Sequence, residues 1–471
     1  MQKLPEKPPS WDEPLSLVDE KFTKDDSFHK EVTEYNQRYL YWDELKYRIE
    51  DPERKKAVWA LMKFLRIMRY ERIAIAKLNM NYSFIPEIVK GLHTIDRYLS
   101  GTIQIHNKTI RMEQSYIINS LMEEAIASSI LEGAATTRKA AKEMLRKGRK
   151  PKNHAEQMIL NNYEVMRFIR EKRDSALTKE LILEIHRIVT KNTIDEAFVG
   201  KFRTDNDVVV VDPGDGTVFH TPPDHVEIEG FIDQLCKFAN RKEEGTDRAA
   251  GDFIHPVIKG IILHYLIGYF HPFNDGNGRT ARSIFYWYVL SQGYWLFEYM
   301  AISRILLKSK KKYGMAYLFT EYDDNDLTYF LKYNISCIIQ ALDDLLGYLE
   351  RKQSEQNATN AIITKIRDIN PRQATILRHM MEHSDEFFTI KQISQMFDVV
   401  YQTARTDLMH LVSLEYVIME QRGREFIFIF NEHSELWEQK AKPAKKDKLQ
   451  KRLLDFPDPA SKISGTPQDP A

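Results

Sequence analysis

A mainly α-helical fold follows from three features of this 471-residue chain. Apolar residues recur at helical spacing from about Phe28 to Ser100, where "RKKAVWALMKFLRIMRYERIAIAKLN" reads as one long amphipathic stretch. Further helices are readable at 112–132, 154–171, 178–192, 225–242, 252–269, 277–291 and 326–352. A single β-type interruption, "DVVVVDPGDGTVFHTPP" at 207–223, reads as a hairpin: a β-branched run, a Pro/Gly turn and a second short strand.

Taken in order, residues 1–100 form an N-terminal helical region that opens with a flexible, Pro- and charge-rich arm to about residue 28. Residues 101–352 form the main helical domain. A lone hairpin inside a helical domain is read as a surface feature with a task. Residues 355–365 are polar and read as a linker. The segment 366–431 parses as helix, short helix, turn, helix and a hairpin with Arg-Gly at its tip, and resembles a winged helix-turn-helix. Residues 432–471 contain "QKAKPAKKDKLQKR", end Pro/Ser/Gly-rich, and read as a disordered tail.

Composition excludes more than it identifies. A chain of this length holds about two to four domains with sizeable cores. Lys+Arg and Asp+Glu are equal at 68 each, so no global charge points to nucleic acid. Cys236 and Cys337 are too few for a disulfide framework and share no metal-ligand spacing, so they read as reduced thiols. The N-terminus "MQKLPEKPPSWDEP" has no apolar signal core and no run is long enough to span a bilayer. The expectation is a soluble cytoplasmic protein without a membrane partner.

Chemistry concentrates at 271–282, "HPFNDGNGRTAR". The apolar helix before it must stop ahead of Pro272, because the residue before proline disfavours the α region. A second helix starts at about 277, so the motif is a loop feeding a helix N-terminus. Gly276 and Gly278 allow backbone N–H groups to converge into an anion-binding nest, and the helix dipole adds to it. Arg279 and Arg282 share a helix face and suit a di- or triphosphate better than one carboxylate. Asp275 suits magnesium, which bridges phosphates with one or two protein carboxylates and keeps its waters. His271 alone has an ordinary pKa near neutrality and is the general-base candidate. Each residue has a bland alternative: a structural histidine, an ordinary Gly turn, solvent-facing arginines. All of these coinciding within one short motif is improbable. A transition-metal site lacks a third ligand nearby. The residues themselves indicate magnesium-assisted transfer of part of a nucleoside triphosphate to a hydroxyl.

"HPFNDGNGRTAR" matches at every position the Fic-family motif His-Pro-Phe-x-Asp/Glu-Gly-Asn-Gly-Arg-x-x-Arg. The resemblance covers roughly 101–350. It implies an all-helical Fic core that transfers AMP from ATP to a Tyr, Thr or Ser hydroxyl of a target protein, with His271 as base and Asp275 holding Mg²⁺. Phe273 would point into the core, and Gly276, Asn277, Gly278, Arg279 and Arg282 would hold phosphates. Phosphorylating relatives have a disrupted nest; the intact one here favours nucleotidyl transfer. The family's flap aligns an extended target segment by strand addition, which places Thr217, Val218, Phe219 and His220 beside the nucleotide. Tyr313, in "KKKYGMAYL", matches an aromatic near the adenine, with simple packing as the alternative. The oligomeric state is open between monomer and the homodimer that Fic cores often form.

"ASSILEGAATTR" at 127–138 follows an apolar helix, with Ser128 and Glu132 on one face and Gly133 where the helix would end. Read alone, Glu132 is an ordinary acid, slightly misplaced near a helix C-terminus. Its pattern resembles the Fic inhibitory helix, expected here over about 112–133, in which Glu132 pairs with Arg282 in place of the ATP γ-phosphate. Two other readings compete. One is a DNA-binding regulator using Tyr401, Gln402, Arg405, Arg422 and Arg424, with the helical core as sensor; Glu382, Asp385, Glu386, Asp398 and Asp407 argue against it, and protein docking is the other use of such a module. The third is a hydrolase that removes AMP from a modified target.

Overall fold

The computed structural model describes all residues except 1–3, 13–17, 100–103, 106–107, 110–113, 212–215, 242–252, 364–365, 367, 385, 423–424 and 435–471. Contacts divide the chain into two units, Met1–Gly347 and Tyr348–Ala471. The expected disordered tail lies almost wholly outside the described residues, as does Arg424.

The first unit is built around two helices that run back to back. Pro256–Phe270 starts on Pro256, capped by the His255 ring, and buries twelve of its fifteen residues. Asn277–Ser291 buries thirteen of fifteen. Helices this apolar on every side are interior elements. Around them pack Gln114–Leu131, His154–Glu171, Lys179–Thr190 and Ile228–Asn240. Asn153 and Thr178 cap two of these through first-turn amides. The helix expected over 112–133 spans Gln114–Leu131, and Arg138–Lys147, capped by Thr137, is a helix the sequence reading passed over. The hairpin expected at 207–223 is present but short: Val210–Val211 pairs antiparallel with Val218–His220.

Three expectations are corrected. The long amphipathic stretch does not stay helical: the helix Pro52–Ile67 ends, and Glu71–Ile75 and Leu78–Tyr82 form a hairpin. Ala76 and Lys77 turn it, both at positive φ, as a two-residue turn between right-twisted strands requires. Without an Asn-Gly signal the turn was invisible, although Ile73, Ile75, Met80 and Tyr82 alternate inward. The N-terminal arm is not free: Glu6 accepts from Trp42 Nε1 at 3.1 Å, its carbonyl accepts from Tyr41 Oη at 2.9 Å, and Lys46 Nζ lies 2.5 Å from its carboxylate. The polar linker at 355–365 belongs largely to a helix, Thr328–Ile363, because Gln, Glu and Ala favour helix and Thr359 and Ile363 are buried.

The N-terminal helices join the core through buried charge. Lys63 Nζ meets Asp323 Oδ1 at 2.6 Å with both side chains 2% exposed. Arg66 lies under the Tyr39 ring, 3.9 Å from its centroid, and donates to Tyr329 Oη at 2.8 Å. Asp326 accepts from Tyr39 and Tyr70 hydroxyls at 2.6 and 2.8 Å.

The second unit holds helices Pro371–Glu382, Ile390–Met396 and Tyr401–Ser413 with a three-stranded antiparallel sheet. In that sheet Glu425–Phe430 lies between Phe387–Thr389 and Val417–Arg422. Ile376, Leu377, Met380, Ile393, Leu408, Leu411 and Phe428 form its core. Asp407, one of the acids that offset the module's basic residues, is buried and bridged by Arg372 Nε and Nη2.

Removing one partner of the Lys63–Asp323 pair strands a buried charge, which costs about 3–5 kcal/mol. Lys63→Met is therefore expected to lower the urea-unfolding free energy by that order, and adding Asp323→Leu should restore part of it. A Lys63→Met protein as stable as the parent would show that the pair does not anchor the N-terminal helices.

Candidate functional site

The chain has only residues 271–276 in which to leave one buried helix and enter the next. His271 makes the first bend, in the left-handed region at φ 46°, ψ 59°. Gly276 makes the second, at φ 82°, and is the N-cap of the following helix, which no side chain caps. The first amides of that helix are thus open to an anion.

Side chains inside and below the loop hold it. Phe273 is fully buried and stacks on the His186 ring, centroids 3.8 Å apart, as the expected core residue. The Asn277 amide spans the turn: its Oδ1 accepts from Phe273 N at 3.0 Å and its Nδ2 donates to Phe273 O at 2.7 Å. That side chain is occupied, so only the Asn277 backbone amide is left for a phosphate. His186 Nδ1 accepts from Gly200 N at 3.0 Å, which leaves Nε2–H to donate to Asp275 O at 2.9 Å. Burial pushes this imidazole down to about 4, so it stays neutral. In the sequence His186 sits unremarked in "LEIHRIV".

His271 Nδ1 faces Gly268 O at 2.9 Å. A carbonyl can only accept, so Nδ1 carries the proton and Nε2 keeps its lone pair. Burial, offset in part by the Gly268 carbonyl and Glu132, holds its pKa below the usual histidine value. Asp275 is the exposed acid of the loop: its side chain is 60% exposed, Oδ1 accepts from Gly276 N at 2.5 Å, and Oδ2 lies 3.5 Å from Arg279 Nη2. Among the described residues no group of three His, Cys, Asp or Glu could hold a metal. One solvent-open carboxylate beside an anion site fits magnesium, which keeps its waters, and does not fit a caged transition metal.

Arg279 is buried and turns away from the open face, donating through Nη1 to Val189 O at 2.7 Å. Arg282 is 3% exposed and is claimed from the neighbouring helix. It donates through Nε to Ser128 Oγ at 3.0 Å and through Nη2 to Ser128 O at 3.2 Å and Glu132 Oε1 at 2.8 Å. The Ser128–Glu132 pair singled out in the sequence is therefore brought onto the motif from over a hundred residues away.

Glu132 is placed by the end of its own helix. Gly133 N donates to Ile130 O and Ala134 N to Ser129 O, both at 3.0 Å, with Gly133 at φ 96°. This is a Schellman stop with glycine at the left-handed position. It aims the carboxylate at Gly278, where an added Cβ would lie 2.2 Å from Glu132 Oε1. Gly278 is thus needed to make room for a carboxylate above the helix N-terminus. Burial raises the Glu132 pKa, but Arg282, Arg279 and Lys310 outweigh it and hold the group ionised below its usual value. Lys310, which the sequence reading missed, donates to Leu131 O at 2.9 Å and closes the same helix end.

The flap histidine and Tyr313 are each engaged by neighbouring groups. His220 is held at both ring nitrogens: Nδ1 lies 2.8 Å from Glu321 Oε2 and Nε2 2.7 Å from Tyr269 O, tying the flap to the end of the helix before His271. Val218 is exposed, and Thr217 and Phe219 are half-buried. The Tyr313 hydroxyl is 2.7 Å from His264 Nε2 and its ring packs on Tyr317, which makes it a packing residue behind Arg282.

Comparison with known proteins bears on this geometry. The Fic/DOC family model matches residues 176–289. A protein adenylyltransferase Fic of Drosophila yakuba is 25% identical over 167 residues, 36% of this chain and 29% of that protein. One of Nematostella vectensis is 21% identical over 192 residues, 40% of this chain and 39% of that protein. The chain thus spans well under half the length of these relatives. A Fic family protein from Desulfovibrio desulfuricans shares the fold at TM-score 0.50 and 17% identity, over 74% of this chain and 97% of that one. The matched segment contains His186, the flap and all of 271–282, while Ser128, Glu132 and Tyr313 lie outside it. Residues 176–289 thus match the Fic/DOC family model, and the loop that joins the two buried helices lies within the matched segment.

Proposed function

We propose that this protein transfers AMP from ATP to a Tyr, Thr or Ser hydroxyl of a target protein and is held in check by Glu132. The observation that carries the reading is the pairing of an uncapped helix N-terminus at Gly276–Gly278 with a His271 ring whose Nε2 is left free by Gly268 O. Nε2 takes the proton of the target hydroxyl. The oxygen attacks the α-phosphorus, the bond to the bridging oxygen of the β-phosphate breaks, and pyrophosphate leaves. Asp275 would hold magnesium, which would neutralise charge on the phosphates. The amides of 277–279 and the Arg282 guanidinium would bind the phosphates, while Asn277 and Arg279 act mainly by fixing the loop. The relatives named protein adenylyltransferase support the reaction class.

The second unit is proposed as a protein-docking, winged-helix-like module rather than a DNA reader. Its exposed helix positions include Val400 and Tyr401, and acidic residues outnumber basic ones over 366–434. DNA binding with a steep salt dependence would reverse this assignment.

The direct test is incubation with magnesium and ATP labelled at either the α or the γ phosphate. Label retained on protein from α only means AMP transfer; retention from γ, or from neither in any variant below, refutes it. His271→Ala is expected to bind ATP and lose transfer by about 10²–10⁴-fold, the usual worth of a positioned base. With His271 held below the usual histidine value, its active neutral form persists on mild acidification. The acid limb of kcat/KM should accordingly fall below about pH 6.5, and a limb above it would point to another base.

Asp275→Ala should abolish the magnesium dependence of whatever transfer remains; an unchanged magnesium titration would rule out its metal role.

Glu132→Gly should raise transfer by about 5–150-fold, the span of ordinary regulatory coupling. It frees Arg282 Nη2 and clears the space above Gly278. Any removal of AMP from modified protein should fall in the same variant. A folded Glu132→Gly protein with parental or lower transfer would return Glu132 to an ordinary helix-end acid.

A further inference from the structure

Arg203 is buried to 3% exposure and makes no carboxylate contact within 4 Å among the described residues, with Asp205 and Asp224 acting on it only from farther off. Its donors go to backbone instead. Nε donates to His271 O at 2.9 Å, and Nη2 to Phe270 O at 3.4 Å and to Pro223 O. Nη1 donates to Asp205 O at 2.7 Å and Asn206 Oδ1 at 3.0 Å, and the Arg203 amide donates to Pro272 O at 2.9 Å. Asn206 Oδ1 in turn accepts from His225 N at 2.8 Å. Burying a guanidinium without an anion is expensive, and the bonds that compensate converge from two places only. One is the bend 270–272, where a non-glycine residue is held left-handed at a strain of roughly 1–2 kcal/mol. The other is the base of the flap, where both stems, 205–206 and 223–225, are gripped. His220 makes the second tie, from the flap strand to Tyr269 O.

We propose that Arg203 is a positioning residue that locks the flap to His271, so that the strand presenting the target hydroxyl and the imidazole that deprotonates it move as one body. This rests on the transferase reading above and adds to it the residue that sets their separation. Arg203 does not touch substrate. Its planar fork reaches carbonyls in two directions at once, which the single point of a lysine ammonium does not. Loosening the clamp leaves the phosphate site held by its own bonds, since Arg203 donates to 270–272 and the flap stems while Asn277 is fixed by Phe273 and Arg282 by Ser128. It widens the distribution of flap-to-base distances, and a misplacement of about 1 Å costs on the order of 10²-fold in rate.

The test uses the full chain in the Glu132→Gly background and compares Arg203→Gln and Arg203→Lys with that parent. Three readouts are taken: cooperative thermal unfolding, affinity for a fluorescent ATP analogue, and initial rates of transfer from α-labelled ATP. Amide exchange of 205–225 and 268–275 is followed by mass spectrometry alongside them. Arg203→Gln is expected to bind the analogue within about twofold of the parent and to lose about 10–100-fold in kcat with KM for ATP unchanged. Exchange should quicken in both segments together, and Arg203→Lys should lie between. Parental kcat in a folded variant, or a loss matched by lost ATP affinity, overturns the proposal. So does exchange that quickens in one segment alone or in neither. If the Glu132→Gly parent transfers no label, the transferase reading fails, and the paired exchange result still decides whether Arg203 couples flap and bend.

Discussion

The site depends on one bend. Two helices buried on nearly every side must be joined within six residues, and the join is possible only with two left-handed positions, at His271 and Gly276. That constraint explains why the loop is fastened so densely. Asn277 grips the Phe273 backbone, His186 the Asp275 carbonyl and Arg203 the His271 carbonyl. None of these three side chains needs to meet a substrate. Together they let a strained segment persist, and the strain aims His271 and the first amides of the next helix at one space.

Charge at that space is unbalanced by design of the packing. Arg282 and Arg279 are buried on one side and Lys310 closes the other; Asp275 reaches Arg279 at 3.5 Å, and Glu132 is the carboxylate that lies above Gly278 against Arg282. A carboxylate at a helix C-terminus opposes the dipole of its own helix. Glu132 stays ionised there because Arg282 pays that cost. The contact is consequently conditional: any anion that satisfies Arg282 and the open amides equally well competes with it. Side-chain exposure of 32% at Glu132 means that nothing seals it in.

Much of this was legible in the sequence, for reasons that differ by residue. The motif could be read because Pro272, Gly276 and Gly278 restrict backbone geometry locally, and because Arg279 and Arg282 share a helix face by spacing alone. Ser128 and Glu132 could be read through resemblance, since no local rule relates them to Arg282. Arg203, His186 and Lys310 were not legible: each acts on backbone carbonyls or amides, and a carbonyl acceptor leaves no trace in the identity of the residue that owns it. The hairpin Glu71–Tyr82 was lost for a similar reason, since its turn uses Ala76 and Lys77 at positive φ in place of glycine or asparagine. That the loop consumes the Asn277 side chain was not legible either, because its partner is again backbone, the N–H and carbonyl of Phe273.

The helix Lys310–Tyr322, outside the matched family segment, shows how the parts are made to work together. Its first residue closes the helix end that carries Glu132. Tyr313, one turn on, backs Arg282 through His264. Glu321, near its last turn, holds the flap histidine His220. Phe319 stacks on Tyr41 at 4.0 Å, and the helix runs out at Asp323 in the buried ion pair with Lys63. One helix therefore touches the turn that carries Glu132, the His264 side chain, the flap and the anchor of the N-terminal helices. Displacing it along its axis would shift the Glu132 turn and the flap together. The N-terminal region is thereby tied, through Lys63 and Asp323, to the same helix that holds the Glu132 turn at its start and the flap histidine near its end.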